Sequence, residues 1–235
     1  MKLTNKIVVI TGASDGIGKQ IALRLAKEKV KLALIARDEV KLKKVCSNAK
    51  KLGATQCKSY VCDLQKIDQL GKTVKSIISD LKTVDVLINN AGIWQKLNPI
   101  EKINSEIIDT VIQTNLTALI HTTKLFMPTL KKRPEAAIIN ISSKSGVVAQ
   151  EGQSVYTASK YGVRGFTEVL KEDLKGSKIR VAGVYQSGTN TNMFRKTGDN
   201  FSTTGLTNPA DLADVVAYML SLPKQIWLHD VRVEY

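Results

Sequence analysis

The chain is poor in cysteine and in aromatic side chains. Its three cysteines, Cys46, Cys57 and Cys62, are odd in number and show neither C-x-x-C nor zinc-ligand spacing. Free thiols are therefore expected, with no metal site. No window reaches the roughly 18 to 20 apolar residues that a membrane span needs. The opening MKLTNKIVVITG also lacks the apolar core and small-residue cleavage site of a secretory signal, so a soluble, cytoplasmic protein without a membrane partner is expected. Aromatics are only 5% of residues, which leaves few rings to stack on bases. Arginine is scarce too: of 35 basic residues seven are Arg, so 28 are Lys, and they run from Lys2 to Lys224. The formal net charge of +14 thus reads as a solvated lysine-rich surface, not as the clustered basic face of a nucleic-acid reader. Such a charge can still steer an anionic ligand.

What is present is an alternation of strands and helices over 235 residues, 43% of them hydrophobic, a length that suits one domain with a full core. Apolar runs of strand length and β-branched character occupy 6–10, 31–36, 84–90, 136–142 and 178–185, with a weaker one at 59–64 and a seventh near IWLHDVRVE. Helical patterns fill 17–29, 38–52, 66–82, 102–131, 154–175 and 209–222. Continuous apolar runs imply strands covered on both faces. The expected fold is α/β: a Rossmann-type, doubly wound parallel sheet of about seven strands in a single domain over 1–235.

Between the first strand and the first helix stands TGASDGIG, residues 11 to 18. A glycine turn there lets backbone approach a pyrophosphate, while the helix N-terminus offers unpaired N–H groups and a positive dipole end. Gly12, Gly16 and Gly18 fill those positions, although their spacing is G-x-x-x-G-x-G and not G-x-G-x-x-G. Further along come NNAG (89 to 92), Asn115, Ser143 and YTASK (156 to 160). Tyr156 and Lys160 are four apart and so share one helix face. A phenol of pKa near 10 is a poor base at neutral pH. An ammonium about 4 Å away contributes at most about 4 kcal/mol, roughly three pK units, at an effective dielectric near 20. The lysine is thus large enough in effect to bring the tyrosine into range. Ser143, at the end of the fifth strand, can donate to a carbonyl oxygen as negative charge develops there. Neighbouring Ser142 competes for the role, and spacing favours Ser143.

In order and spacing these segments resemble the short-chain dehydrogenases/reductases, over nearly the whole chain. The resemblance implies that Asn115, Ser143, Tyr156 and Lys160 are catalytic, with Tyr156 exchanging a proton with the substrate oxygen and Lys160 also binding the nicotinamide ribose. It implies that Ser14, Asp15 and Ile17 join the glycines around the cofactor, that Asp63 and Leu64 meet the adenine, and that Asn89, Ala91 and Gly92 line its middle. Asn115 would hold a water that links the lysine to solvent.

Relatives that use NAD usually carry an acidic residue where LIARDE has Ala36. Arg37 follows, which suits the 2′-phosphate of NADP; Asp38 and Asp15 pull the other way. NADP (NADPH) is expected over NAD. After the sixth strand the family usually has Pro-Gly, but this chain has Ser187 before Gly188, which leaves the loop less constrained. Thr189 or Thr191 would bind the carboxamide. The polar stretch 189–207 reads as a substrate lid. Trp94, Gln150, Gln153 and Tyr185 are candidate pocket residues, and Arg195 with Lys196 could engage an anionic substrate. The expected activity is hydride transfer between nicotinamide and a carbonyl or secondary alcohol substrate, in a homodimer or homotetramer. A non-catalytic dinucleotide sensor is the other reading, and it has no need of the Asn, Ser, Tyr and Lys set.

Overall fold

Branched apolar runs become strands and amphipathic runs become helices, alternating except where α4 and α5 follow one another between two strands. In the computed structural model, which describes residues 1–199 and 202–234, the order is β1 (Ile7–Thr11), α1 (Gly16–Ala26), β2 (Lys31–Ala36), α2 (Glu39–Lys51), β3 (Gln56–Val61), α3 (Ile67–Leu81), β4 (Val86–Asn89), α4 (Ser105–Ile112), α5 (Ala118–Leu130), β5 (Ala136–Ile141), α6 (Ser154–Asp173), β6 (Ile179–Gln186), α7 (Pro209–Ser221) and β7 (Asp230–Val233). The caps follow from residue chemistry: Asp15, Asp38, Asn104 and Asn208 each accept a backbone N–H at a helix start. Pro209 sits in the first turn of α7, where its missing donor is harmless.

The strands form one parallel sheet in the order β3-β2-β1-β4-β5-β6-β7. Alternate residues of β1 serve opposite layers. Val8 and Ile10 pack with Ile21 and Leu25 of α1, Leu42 of α2 and Val216 of α7. Ile7 and Val9 pack with Leu70 and Ile77 of α3, Phe126 of α5 and Leu170 of α6. Each such side chain, fully buried, stabilises the fold by about 1.5–3 kcal/mol. The result is a single-domain, doubly wound sheet. The chain leaves β1 toward β3 and then turns back through β4 to the other edge, so a crevice opens at the carboxyl ends of β1 and β4.

Three expectations need correction. The third strand spans Gln56–Val61, three residues before the apolar stretch that suggested it, because an edge strand tolerates polar alternation. The pattern over 102–131 is not one helix: a 3-10 turn at Ile100–Lys102 precedes α4, and a π-turn at Gln113–Thr117 separates α4 from α5. Finally, Cys46 and Cys57 are not free thiols. Packing of α2 against β3 brings their Cα atoms to 5.3 Å, and they form a disulfide, while Cys62 is free and buried. Among the described residues no helix is long and apolar enough to cross a membrane, and no group of three or more His, Cys, Asp or Glu could hold a metal ion.

Candidate active site

The glycine turn is shaped by steric necessity. Gly12 and Gly16 have positive φ, +65° and +53°, and a Cβ on Gly12 would lie 2.8 Å from the Ala91 Cα. Backbone from β1 and β4 therefore meets here with no room for a side chain. Gly18 acts differently. It does not face the crevice, and a Cβ there would collide with the Asn90 amide and the Gly12 carbonyl. Asn90 fixes the turn by donating to Thr11 O (3.0 Å) and Gly12 O (3.3 Å). The Thr11 hydroxyl in turn accepts from the backbone N–H groups of Asn90 and Ala91. Asn90 lines the crevice, whereas the predicted Asn89 does not. Period-two alternation in β4 turns Asn89 into the sheet layer, where it donates to Thr123 and Asn140 at 2.9 Å each.

The crevice is a cavity of about 610 Å³. Its central wall holds Gly12, Ser14, Asp15, Gly16 and Ile17. One end holds Arg37, Asp63 and Leu64, and the other Ala91, Gly92, Tyr156, Lys160 and Thr191. At the Arg37 end, Asp38 is already occupied: it accepts from Lys41 N at 2.9 Å as the α2 cap and pairs with Lys41 Nζ at 3.2 Å. Lys41 also faces the cavity, a second cation overlooked in the sequence because its place depends on where α2 starts. Asp15 caps α1 through Gly16 N (2.8 Å) and pairs with Lys196 of the lid at 3.1 Å. Against the opposing effect of burial, the Gly16 N–H and Lys196 hold its carboxyl below the usual range.

A second cavity of about 350 Å³ adjoins the first, and Tyr156 lines both. Ser143 and Tyr156 face the second cavity and Ser142 the first. The Tyr156 hydroxyl, hydrogen-bonded to Ser143, is pushed up to about 12, because burial outweighs that bond. Lys160, 4% exposed, is lowered to about 8 by burial. Its ammonium donates to Ile141 O at 3.3 Å and lies 5.6 Å from the centre of the Tyr156 ring. The expectation that the lysine suffices to bring the tyrosine into the neutral range is therefore corrected: burial prevails, and the phenol lies above its ordinary value. The π-turn aims Asn115, which clamps the backbone after the NNAG segment. It accepts from Ile93 N (2.8 Å) and donates to Ile93 O (3.0 Å) and to Ser159 Oγ (3.1 Å).

Gly188 and Thr189 face the second cavity, and Thr191 faces both. Ser187 supplies a constraint that proline could not, since its N–H donates to Val233 O at 2.8 Å and extends the β6–β7 ladder. The lid's ends are tied by Thr207 N to Gly188 O (3.1 Å) and Asn190 N to Thr207 O (2.9 Å); Asn200 and Phe201 within it lie outside the described residues. Trp94, Gln150 and Gln153 line the second cavity, but Tyr185 and Arg195 line neither. Alternation along β6 sends Tyr185 away from the crevice and leaves Gln186 facing it. Gln186 was missed in the sequence because a lone Gln carries no motif. It borders both cavities, and among the described residues its buried Oε1 has no hydrogen-bond partner.

A family model described as short chain dehydrogenase matches residues 6–201. The chain belongs to this family. This short chain dehydrogenase is 35% identical over 192 residues to the oxidoreductase SadH of Mycobacterium tuberculosis, covering 81% of this chain and 69% of that one. It is 30% identical over 231 residues to the 3-oxoacyl-acyl-carrier-protein reductase FabG of Thermotoga maritima, covering 94% and 92%. Among solved structures it is similar to a metagenomic short-chain oxidoreductase in complex with NADP, at 30% identity and a TM-score of 0.86, covering 100% and 98%. Family and relatives together make the chain an oxidoreductase.

Proposed function

We propose that this short chain dehydrogenase is an NADP-dependent carbonyl reductase and alcohol dehydrogenase, with Tyr156 as its acid and base. The observation that carries the reading is the position of Tyr156 at the wall shared by a long glycine-floored crevice and a smaller cavity.

The residues present fit a dinucleotide phosphate. Gly12 leaves a cradle that any Cβ would fill, and the α1 N-terminus points at it. Gln186 Oε1 is an unpartnered acceptor at the inner end, suited to a carboxamide N–H. Arg37 is the cation at the outer end suited to a 2′-phosphate, with Lys41, paired to Asp38, beside it. Asp38, the acid that would favour a free ribose diol, is spent on the α2 cap. The structural neighbour with NADP bound supports the same preference. When bound, the cofactor supplies two electrons as hydride to a carbonyl carbon, or takes them from an alcohol.

The chain's own residues handle the oxygen. Ser143 Oγ donates to the carbonyl oxygen and polarises it. Tyr156, raised to about 12, holds its proton at neutral pH and donates it as the oxygen becomes an alkoxide. Lys160 lies behind the ring and stabilises the phenolate that remains. Asn115 keeps the Ile93 backbone, and with it the floor beneath Lys160, in place.

Titration of the protein with NADPH and with NADH, followed by nicotinamide fluorescence, tests the cofactor assignment. NADPH should bind more tightly, and Arg37→Ala should weaken NADPH by about tenfold, near 1.4 kcal/mol, while changing NADH little. Equal binding of the two by the wild type would overturn the role given to Arg37.

A further inference from the structure

The second cavity is built for a neutral molecule with a ring. Among the described residues its apolar side consists of Ile17, Trp94, Leu97, Met193, Phe194 and Leu206. Trp94 stands edge-on to Tyr156, with ring centres 4.6 Å apart, and Phe194 stands edge-on to Trp94 at 5.2 Å. The indole cannot turn freely, because its Nε1–H donates to the Asp199 carboxylate at 2.5 Å and both residues are more than nine-tenths buried. Its one polar atom is thereby occupied, and the aromatic body faces the reacting phenol. Across the cavity stand neutral polar groups: Ser145 Oγ donates to Gln153 at 2.7 Å, and Gln153 to Gln150 at 2.6 Å.

Charge is scarce in this cavity. Among the described residues lining it, Lys144 is the one charged side chain, and it pairs with Glu234 at 2.9 Å. Lys196 faces the other cavity and is paired with Asp15, and Arg195 faces neither. The basic lid that the sequence offered to an anionic substrate is therefore turned elsewhere. At about 350 Å³ the space is near the lower end for small-molecule sites, which suits one or two fused rings better than an extended thioester.

Resting on the carbonyl reductase reading, we propose that the substrate is a compact, neutral aryl or cyclic ketone. Trp94 and Phe194 sort it by its ring, and Asp199 is a positioning residue that acts through Trp94. In reduction the carbonyl carbon gains hydride from NADPH, which leaves as NADP+, and the oxygen gains a proton from Tyr156, giving a neutral secondary alcohol.

The test compares kcat/KM, with NADPH, for 1-indanone, butanone and acetoacetyl-coenzyme A. The wild type should favour 1-indanone over the anionic thioester by at least about tenfold. In Trp94→Ala the ratio of 1-indanone to butanone should fall by at least about tenfold, while Trp94→Phe, which keeps a ring should the alanine variant fold poorly, retains most of it. Asp199→Asn should raise KM for 1-indanone more than it lowers kcat, and should shift the emission of Trp94, one of two tryptophans in the chain. Preference for the thioester, or equal losses on all three substrates in Trp94→Ala, would overturn this inference and leave the reductase reading standing. Bound NADPH with no turnover of any ketone would instead overturn the reductase reading, and this inference with it.

Discussion

Lys160 is a cation buried at the bottom of a crevice, and burial lowers it from 10.5 to about 8. Between those two values the folded chain binds fewer protons at this residue than the unfolded chain does. Stability from this group therefore rises as pH climbs from about 8 toward 10.5, and the full burden of the buried ammonium is felt below about pH 8. Tyr156 works in the opposite sense at higher pH. Raised from 10.0 to about 12, it retains its proton in the fold, and its contribution is lost as pH rises through that window. Lys160→Met, which fills similar volume without the charge, should raise Tm by about 2–6 °C near pH 7. The gain should be smaller near pH 9.5, and carbonyl reduction should be lost. Thermal denaturation at the two pH values checks this; an equal gain at both would contradict burial of the charge as its source. The pairing of Lys160 with Tyr156 was legible from their spacing of four. The depth of their burial was not, because it depends on Gly92, Ile141 and Trp94, which come from other parts of the chain.

At the level of elements, strands and helices were legible because apolar period and β-branching act locally. Two features were not. The π-turn at Asn115 adds one residue to a helical turn and barely disturbs the hydrophobic pattern, so 102–131 read as continuous. Asp85 sits in an apolar run and carries no motif, yet it ties together the amino ends of β1 and β4 and the segment after α5. Its carboxylate accepts from Ile7 N at 2.8 Å and from Arg133 Nε at 2.7 Å, with Lys6 Nζ at 3.4 Å, and its side chain is 2% exposed. Removing it would leave a buried N–H and two cations without their acceptor. Asp85→Ala should therefore destabilise the protein by about 3 kcal/mol in urea denaturation. Affinity for NADPH should change little, because the crevice opens at the opposite ends of the strands. A change below about 0.5 kcal/mol would show that the network contributes little to stability.

At the scale of the whole molecule, the winding of the sheet places every motif. The turn after β1, the NNAG segment after β4, Ser143 after β5 and the loop after β6 are scattered through the sequence but share the carboxyl edge of a parallel sheet. Their order in the chain made the family legible. Which side chains face the crevice was settled by alternation and packing, as Asn89 giving way to Asn90 and Tyr185 to Gln186 illustrate. The lysine-rich surface, with its net charge of +14, suits arrival of an anionic dinucleotide, and, on the proposed reading, the two cavities meeting at Tyr156 convert a binding site into a site for turnover. That conversion separates an oxidoreductase from a sensor built on the same sheet. The most direct test is NADPH oxidation in the presence of 1-indanone by the wild type and by Tyr156→Phe, with NADPH affinity measured on both by fluorescence. Wild-type turnover should fall by at least about 10²-fold in the variant, with NADPH affinity retained; undiminished turnover by Tyr156→Phe would contradict Tyr156 as the proton donor.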